Sequence, residues 1–262
     1  MTDAAATGAS IYDAMAPDFD RRRALPDGVA EMVRDTIARF APPKPRVLDL
    51  GAGTGRIGWP FVQAGDDYTG ADLSLGMLRT FAKRCPAARL AQADGAHLPF
   101  ADEAFDAVLL VQVLNRVEGW RQVLTETIRV LRAGGIVVAG RTVAPDDGVD
   151  AQMKDRLAAI LDAMDEHPYR AKFREDAMGW LSRTLPDPTV VTVAAWAEPR
   201  TPSGFLERHA GGARFSILPD PVKQAAIHRL SAWATERFGS LDTVSHEHFR
   251  FELIVHRNSR GP

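Results

Sequence analysis

The sequence predicts an α/β fold: a seven-stranded, mostly parallel sheet with helices on both faces, an antiparallel C-terminal strand and a helical insertion after the fifth strand. Three observations support this prediction. Short apolar segments alternate with segments whose apolar residues recur at helical spacing. Residues 106–113 are nearly continuous in Val and Leu, as expected for a strand buried on both faces. A glycine-rich loop directly follows the first apolar segment, residues 47–50, and lets the chain turn sharply there.

The first half of the chain alternates between predicted helices and strands. A helix is predicted at residues 28–40, where apolar residues recur at helical spacing after Asp27, a candidate N-cap. Strands are predicted at residues 47–50, 68–73, 90–93, 106–113 and 136–139. Two further helices are predicted, one capped by Ser74 and one at residues 120–131. Pro60 falls within the helix expected after the glycine loop and is predicted to kink it.

The pattern changes after residue 140. Two apolar stripes at helical spacing between residues 153 and 181 predict the helical insertion. Residues 190–196 predict a sixth strand, and residues 220–238 predict a helix that Asp220 and Pro221 begin. Residues 249–255 alternate between apolar and polar, so the chain is predicted to end with a strand.

The composition excludes several classes of protein. The 32 basic and 34 acidic residues nearly cancel, so no global field favours nucleic acid or an anionic membrane. One cysteine, Cys85, excludes a disulfide framework, and the seven histidines lack metal-binding spacing, so no metal is predicted. The opening residues lack the basic and apolar regions of a secretory signal. We therefore expect a cytoplasmic protein without a membrane span.

The glycine loop is the most informative segment. Gly51, Gly53 and Gly55 alternate after a buried strand, where they let a ligand approach main-chain N–H groups. Gly53, Gly55 and Gly58 also satisfy the dinucleotide pattern G-x-G-x-x-G, which leaves an NAD(P)-binding oxidoreductase as an alternative. In that pattern the first glycine closes the strand, whereas Gly53 lies two residues further on. Asp49 would also repel a pyrophosphate, although it can accept a hydrogen bond from a cationic amino group.

Acidic residues also end the next two predicted strands. Asp72 is placed to accept hydrogen bonds from two ribose hydroxyls, and Asp94 could reach an adenine amino group. The carboxyl ends of parallel strands meet at one edge of a sheet. These positions therefore predict a nucleoside site at that edge.

Four motifs occur in a fixed order. They are Asp49-x-Gly51-x-Gly53-x-Gly55, Asp72 followed by Ser74 and Met77-Leu78, ADGAHLPFADEAFDAV at residues 93–108, and LRAGG at residues 131–135. Together they resemble class I S-adenosylmethionine-dependent methyltransferases, most closely the small-molecule branch that includes the ubiquinone/menaquinone methyltransferases. The likeness covers residues 10–140 well and the remainder in outline. It implies a Rossmann-like fold, S-adenosyl-L-methionine as cofactor and in-line transfer of its methyl group to a small-molecule acceptor.

The resemblance also implies which residues contact the cofactor. Those residues are Tyr12, Asp49, Gly51, Ala52, Gly53, Gly55, Asp72, Leu73, Met77, Asp94, Gly95 and Gln112. Asp49 and the loop would hold the methionine moiety, and Asp72 the ribose. Asp94 and Gly95 would meet the adenine edge, while Leu73 and Met77 would contact its faces.

Two positions are implied to lie nearest the chemistry. Gln112 would lie near the transferable methyl and is the one candidate for a catalytic role, while Tyr12 would close over the cofactor. The sequence departs from the family at residues 112–117, QVLNRV, where members often have histidines. That departure puts a histidine-based mechanism in doubt, and no general base stands out.

The resemblance divides the chain into four segments. Residues 1–45 form an N-terminal tail with cap helices, and residues 46–140 form the cofactor-binding half. Residues 141–188 form a helical insertion that acts as a lid over the acceptor. Residues 189–262 complete the same domain.

The acceptor pocket is expected above the carboxyl ends of the strands. Candidate residues for it are Arg141, Trp180, Arg200, Phe205, Arg208, His209 and Arg214. Several arginines would suit an anionic acceptor. A second alternative to the enzyme is a methyltransferase-like binding module without turnover.

Overall fold

The structure is a computed structural model that describes residues 12–13, 16, 19–22, 25–114, 117, 119–166, 173–210 and 218–259. The chain divides into two units. The first comprises Met1–Thr142, Lys172–Ala194 and Phe251–Pro262, and the second comprises Val143–Ala171 and Ala195–Arg250.

Seven strands form one sheet, as predicted. They are β1 (Val47–Leu50), β2 (Tyr68–Asp72), β3 (Arg89–Gln92), β4 (Phe105–Val111), β5 (Leu131–Val143), β6 (Thr189–Arg200) and β7 (Ser245–Arg257), in the order β3-β2-β1-β4-β5-β7-β6. The first five strands pair in parallel. Asn258, which follows β7, exchanges backbone hydrogen bonds of 2.8 Å with Gly134 and Gly135, the reciprocal pattern of an antiparallel pair. The predicted mostly parallel sheet with antiparallel C-terminal strands is confirmed.

The described helices lie between these strands. They are α1 (Phe19–Arg22), α2 (Val29–Phe40), α3 (Trp59–Gln63), α4 (Leu75–Arg84), α5 (Trp120–Val130), α6 (Val149–Asp162), α7 (Phe173–Thr184), α8 (Pro202–Ala210) and α9 (Asp220–Phe238). Ser74 caps α4 as predicted, because its Oγ accepts from the Met77 N–H at 3.1 Å. The N-cap of α2 is Gly28 in the left-handed region rather than Asp27. Among the described residues, none of these helices is long and apolar enough to cross a bilayer.

The first unit buries side chains on both faces of the sheet. On one face, residues of β1, β4 and β5 pack with α5 and α7 into a single core. On the other face, the Tyr68 ring lies 5.6 Å from the Phe61 ring of α3 and 6.1 Å from the Phe81 ring of α4. Alternation along the strands sends successive side chains to these two cores, which is why the strands read as continuous apolar runs.

Two local predictions are corrected. Pro60 lies in the first turn of α3, where its missing N–H removes no helical hydrogen bond, so it starts the helix instead of kinking it. The fifth strand is predicted at residues 136–139, but β5 already begins at Leu131. Leu131 pairs with Phe105 and Ile136 with Ala107, so the glycines form a bulge within the strand, with Gly134 at φ 74°.

The second unit has its own core. The apolar faces of α6, α8 and α9 pack together, with Met153, Leu157 and Leu230 fully buried. The predicted insertion is therefore shared between the two units, because α6 belongs to the second unit and α7 to the first. The role of residues 141–188 as an acceptor lid stays a prediction.

Candidate active site

The glycine loop begins after Leu50, at the end of β1, and its first residues lie against β2. The N–H groups of Gly51 and Ala52 both donate to the carbonyl of Ala71 in β2, at 2.8 and 3.0 Å. Gly51, Gly53 and Gly55 have φ values of 80°, 57° and 83°, which side chains rarely tolerate. A Cβ on Gly53 would meet only the Gly51 carbonyl, at 3.9 Å, so space is open above the middle of the loop.

The other loop glycines are required by packing. A Cβ on Gly55 would lie 2.1 Å from the Phe81 ring, and one on Gly58 would lie 2.1 Å from the Tyr68 hydroxyl. Gly58 therefore has a packing role within the protein itself. Its match to the dinucleotide pattern carries no separate evidence for a nicotinamide cofactor.

Asp49 lies at the end of β1 and is almost completely buried, with 2% of its surface exposed. The Tyr68 hydroxyl donates to Asp49 Oδ2 at 2.8 Å. Burial, helped by the nearby Asp72 charge, raises the pKa of Asp49 to about 7, although the Tyr68 hydrogen bond and the Arg56 charge oppose the shift. A carboxyl group in this state can exchange its proton for a cationic partner near neutral pH.

We expect Asp49 to contribute a loss of stability to the ligand-free protein as the pH rises from 4 to 8. Asp49 keeps its proton up to about pH 7 when folded, whereas its ordinary pKa is 3.8, so in this window this side chain binds more protons in the folded state than in the unfolded chain. Denaturant unfolding at several pH values, compared between the wild type and Asp49→Asn, isolates this contribution. Between pH 4 and 8, the stability of Asp49→Asn should fall less, or rise more, than that of the wild type, by a few kcal/mol in total. Asp94→Asn, which replaces an exposed carboxylate, is the matched control; equal slopes in Asp49→Asn and wild type would contradict the assignment.

Asp72 ends β2 and organises the loop. Its Oδ2 accepts from the Gly53 N–H and its Oδ1 from the Ser74 N–H, each at 2.8 Å. A carboxylate has about four acceptor positions, so these bonds do not use its whole capacity. Burial raises the pKa of Asp72, while the backbone N–H bonds oppose that shift.

The predicted adenine contacts occupy different environments. Asp94 is exposed, and its Oδ1 accepts from the Ala96 N–H at 2.9 Å, so it shapes the turn after β3. Leu73 and Gly95 are half-buried. Met77 is 2% exposed in the core of α4. The contacts of these four residues with adenine stay predictions. The Met77 side chain is packed in the core.

Sequence reasoning missed two acidic residues of the N-terminal segment. Asp13 Oδ1 accepts from the Ser74 hydroxyl and, at 2.7 Å, from the Gly76 N–H, so it adds a second cap to α4. These bonds lower the pKa of Asp13. Asp20 of α1 accepts from the buried Thr54 hydroxyl of the glycine loop. The segment that precedes the sheet is thereby tied to both sides of the loop.

Tyr12 adjoins Asp13 and is half-buried, so the capping contacts bring it to the region where it is predicted to close over the cofactor. Asp13 and Asp20 belong to the segment YDAMAPDFDRR, residues 12–22. Its acidic positions have no periodicity that would have indicated these contacts.

Gln112 follows β4 and has a left-handed backbone, with φ 58°. Its N–H donates to the Gly140 carbonyl at 2.9 Å, its Oε1 accepts from Arg56 Nη2 at 2.8 Å, and its Nε2 donates to Thr142 Oγ1 at 3.1 Å. Its side chain thus joins the glycine loop to the end of β5. This is the edge at which the carboxyl ends of the parallel strands meet.

The acceptor candidates fall into both units. In the first unit, Arg141 lies on β5, and Trp180 of α7 contacts Trp120 edge-on with ring centroids 6.4 Å apart. In the second unit, Arg208 pairs with Asp150 at 2.6 Å, and Arg200 lies 3.9 Å from the same carboxylate. Arg214 lies outside the described residues.

Two candidates of the second unit are part of its packed interior. Phe205 is fully buried, and the His209 ring stacks on it at a centroid distance of 3.8 Å. Burial lowers the pKa of His209 to about 4, so this histidine is neutral at physiological pH. These positions make Phe205 a core residue rather than a pocket wall. Within the described part of the chain, no group of three potential ligands is placed to hold a metal ion.

The fold is that of an α/β protein in which a nucleoside cofactor would bind at the carboxyl ends of a parallel sheet. A methyltransferase domain family matches residues 48–139, which contain the glycine loop, Asp49 and Asp72. Among curated proteins, the chain is 36% identical over 143 residues to the demethylmenaquinone methyltransferase of Renibacterium salmoninarum, an alignment covering 53% of this chain and 60% of that protein. It is 33% identical over 231 residues to the demethylmenaquinone methyltransferase of Clavibacter sepedonicus, covering 84% of this chain and 88% of that protein.

A solved structure has the same fold. The Bacillus halodurans C-125 protein BH2331 superposes with a TM-score of 0.58 at 17% identity, covering 89% of this chain and 99% of that one. The chain spans 53–60% of the length of the first five curated relatives that it matches. The chain belongs to the class I S-adenosylmethionine-dependent methyltransferases, in the branch of the ubiquinone/menaquinone methyltransferases.

Proposed function

We propose that the chain transfers a methyl group from S-adenosyl-L-methionine to a quinone-like small molecule. The observation that carries this proposal is the pair of carboxylates beside the open glycine loop, the buried Asp49 and the half-buried Asp72. The remaining acceptor capacity of Asp72 suits a ribose hydroxyl. The buried, near-neutral Asp49 suits a cationic amino group. These residues fit the cofactor of the family.

The protein's contribution to the reaction is geometric. Bound S-adenosyl-L-methionine supplies a methyl group that is already activated for in-line displacement. The loop and Asp49 would hold the methionine moiety, Asp72 the ribose, and Gln112 the edge of the site nearest the acceptor. Orientation and exclusion of water can contribute several kcal/mol without a catalytic side chain.

Gln112 acts in this proposal as a positioning residue. Its amide is held at both ends, by Arg56 and Thr142, so it fixes the distance between the glycine loop and β5. The left-handed backbone of Gln112 costs energy, because residues other than glycine rarely adopt this conformation. Such a conformation persists where the surrounding contacts enforce it.

The acceptor class is inferred from the relatives. Two of them are demethylmenaquinone methyltransferases, so we infer a quinol-like aromatic acceptor for this chain. The nearly balanced charge disfavours nucleic acid as acceptor. A cytoplasmic location stays a prediction.

A methyl-transfer assay tests the proposal. Purified protein is incubated with methyl-labelled S-adenosyl-L-methionine and a reduced 1,4-naphthoquinone that lacks a 2-substituent, and the product is identified by mass spectrometry. We expect a mass gain of one methyl group, with S-adenosylhomocysteine formed in equal amount. Binding of the cofactor without methylated product, across naphthoquinols, benzoquinols and simple phenols, would favour a binding module without turnover.

A further inference from the structure

Two arginines lie together beside the carboxyl end of β5. Arg141 follows Ala139 by two residues, so its side chain lies on the face of the sheet that α5 and α7 cover. Arg174 precedes Met178 and Leu181 by four and seven residues, so it continues the buried stripe of α7. The two side chains therefore lie on one face, where its apolar core ends, and are close enough for the charge of Arg141 to act on Arg174.

The described contacts compensate the positive charge of this pair only in part. Arg141 Nη2 donates to Glu252 Oε2 in a long bond of 3.4 Å, and Glu252 is 8% exposed. Arg174 Nη2 and Arg141 Nε are buried and have no hydrogen-bond partner among the residues that the structure describes. Glu175, the neighbour of Arg174 in sequence, is exposed.

This arrangement is electrostatically unfavourable as it stands. Burial lowers the pKa of Arg174, and the charge of Arg141 lowers it further, while Glu175 and Glu252 offset part of the shift. Arg174 also lies in the first turn of α7, where the helix dipole disfavours a cation. A guanidinium keeps its proton at any physiological pH, so it can respond only by gaining an anionic partner.

The geometry selects the kind of anion. The buried Glu252 and the exposed Glu175 offset part of the charge of the two guanidinium groups, so the pair suits a monoanion. A carboxylate carries one negative charge on two oxygens and matches the planar fork of arginine. A phosphate dianion would exceed the available charge.

The pair lies at the edge where methyl transfer is proposed. Gln112 is hydrogen-bonded to Gly140 and Thr142, the residues on either side of Arg141. Trp180, further along α7, is only half-buried and offers an aromatic surface on the helix that carries Arg174. We propose that Arg141 and Arg174 bind a carboxylate of the methyl acceptor, so that the quinol-like aromatic acceptor also carries an acid group. This inference rests on the proposed function for the location of the acceptor.

Binding of two matched probes tests the proposal. 1-Hydroxy-2-naphthoate and 1-naphthol, which differ in the carboxylate, are titrated calorimetrically at pH 7 into protein saturated with S-adenosylhomocysteine. We expect the wild type to bind the carboxylate at least about tenfold more tightly, on the scale of a charge-assisted bidentate contact. Arg174→Gln and Arg141→Gln should each remove that preference without weakening 1-naphthol. Arg183→Gln, in the last turn of the same helix, is the control and should retain the preference.

The outcomes separate this inference from the proposed function. Equal binding of the two probes to the wild type, or an unchanged preference in both variants, would overturn the arginine site while leaving methyl transfer intact. If S-adenosylhomocysteine fails to bind, the proposed function fails, and the same titration into the ligand-free chain still tests the pair. Two independent variants keep the test decisive if one of them does not fold, which circular dichroism reports.

Discussion

Gly55→Ala should destabilise the protein by about 2–5 kcal/mol, the sum of a left-handed backbone penalty and an overpacking penalty. The new Cβ would lie 2.1 Å from the Phe81 ring, which is fully buried between the sheet and α4 and cannot move aside. The residue would also have to keep a φ of 83°. Because the free energy of unfolding of a domain is itself about 5–15 kcal/mol, this single methyl group should remove a large part of it. Thermal and denaturant unfolding measure the loss.

Gly65→Ala separates the two penalties. Gly65 has a φ of 73°, but a Cβ there meets nothing within 4 Å. Gly65→Ala should therefore lower the free energy of unfolding only by the left-handed backbone penalty, about 1–2 kcal/mol. If Gly55→Ala and Gly65→Ala were equally stable, close packing of the glycine loop on α4 would be refuted.

Asp72→Ala should weaken binding of S-adenosylhomocysteine by about 1–3 kcal/mol through lost charge-assisted hydrogen bonds. The loss should lie towards the upper end, because the same carboxylate holds the Gly53 and Ser74 N–H groups and its removal also loosens the loop. Isothermal titration calorimetry measures the change in Kd. Asp72→Asn retains an acceptor oxygen but no charge, and an intermediate loss is expected.

Asp94→Ala provides the comparison for Asp72→Ala. Asp94 lies in the turn after β3 and is exposed. Its removal should therefore weaken binding of S-adenosylhomocysteine less than removal of Asp72 does. A Kd for Asp72→Ala equal to that of the wild type would refute the ribose assignment.

Local sequence patterns were sufficient for most of the fold. Strand β4 was evident because seven consecutive apolar-rich residues can be buried only in the middle of a parallel sheet. The Ser74 cap and the start of α9 follow from chemistry that acts over three or four residues. The bulge at Gly134 was not evident, since it depends on the register between β4 and β5.

The site was predictable only in part. The loop glycines, Asp49 and Asp72 stand next to strands and therefore carry a positional signal. Asp13 and Asp20 act across 61 and 34 residues, on Ser74 and Thr54, and no local periodicity encodes such contacts. The sequence carried no signal for Arg174, because only the packing of α7 on the sheet brings it near Arg141.

Calorimetric titration of S-adenosylhomocysteine, compared with NAD⁺ and NADH, decides between the two cofactor classes. We expect a Kd on the order of micromolar for S-adenosylhomocysteine and no measurable heat from either nicotinamide nucleotide at the same concentrations. Binding of NAD⁺ or NADH without binding of S-adenosylhomocysteine would contradict this expectation and would assign the glycine loop to a dinucleotide.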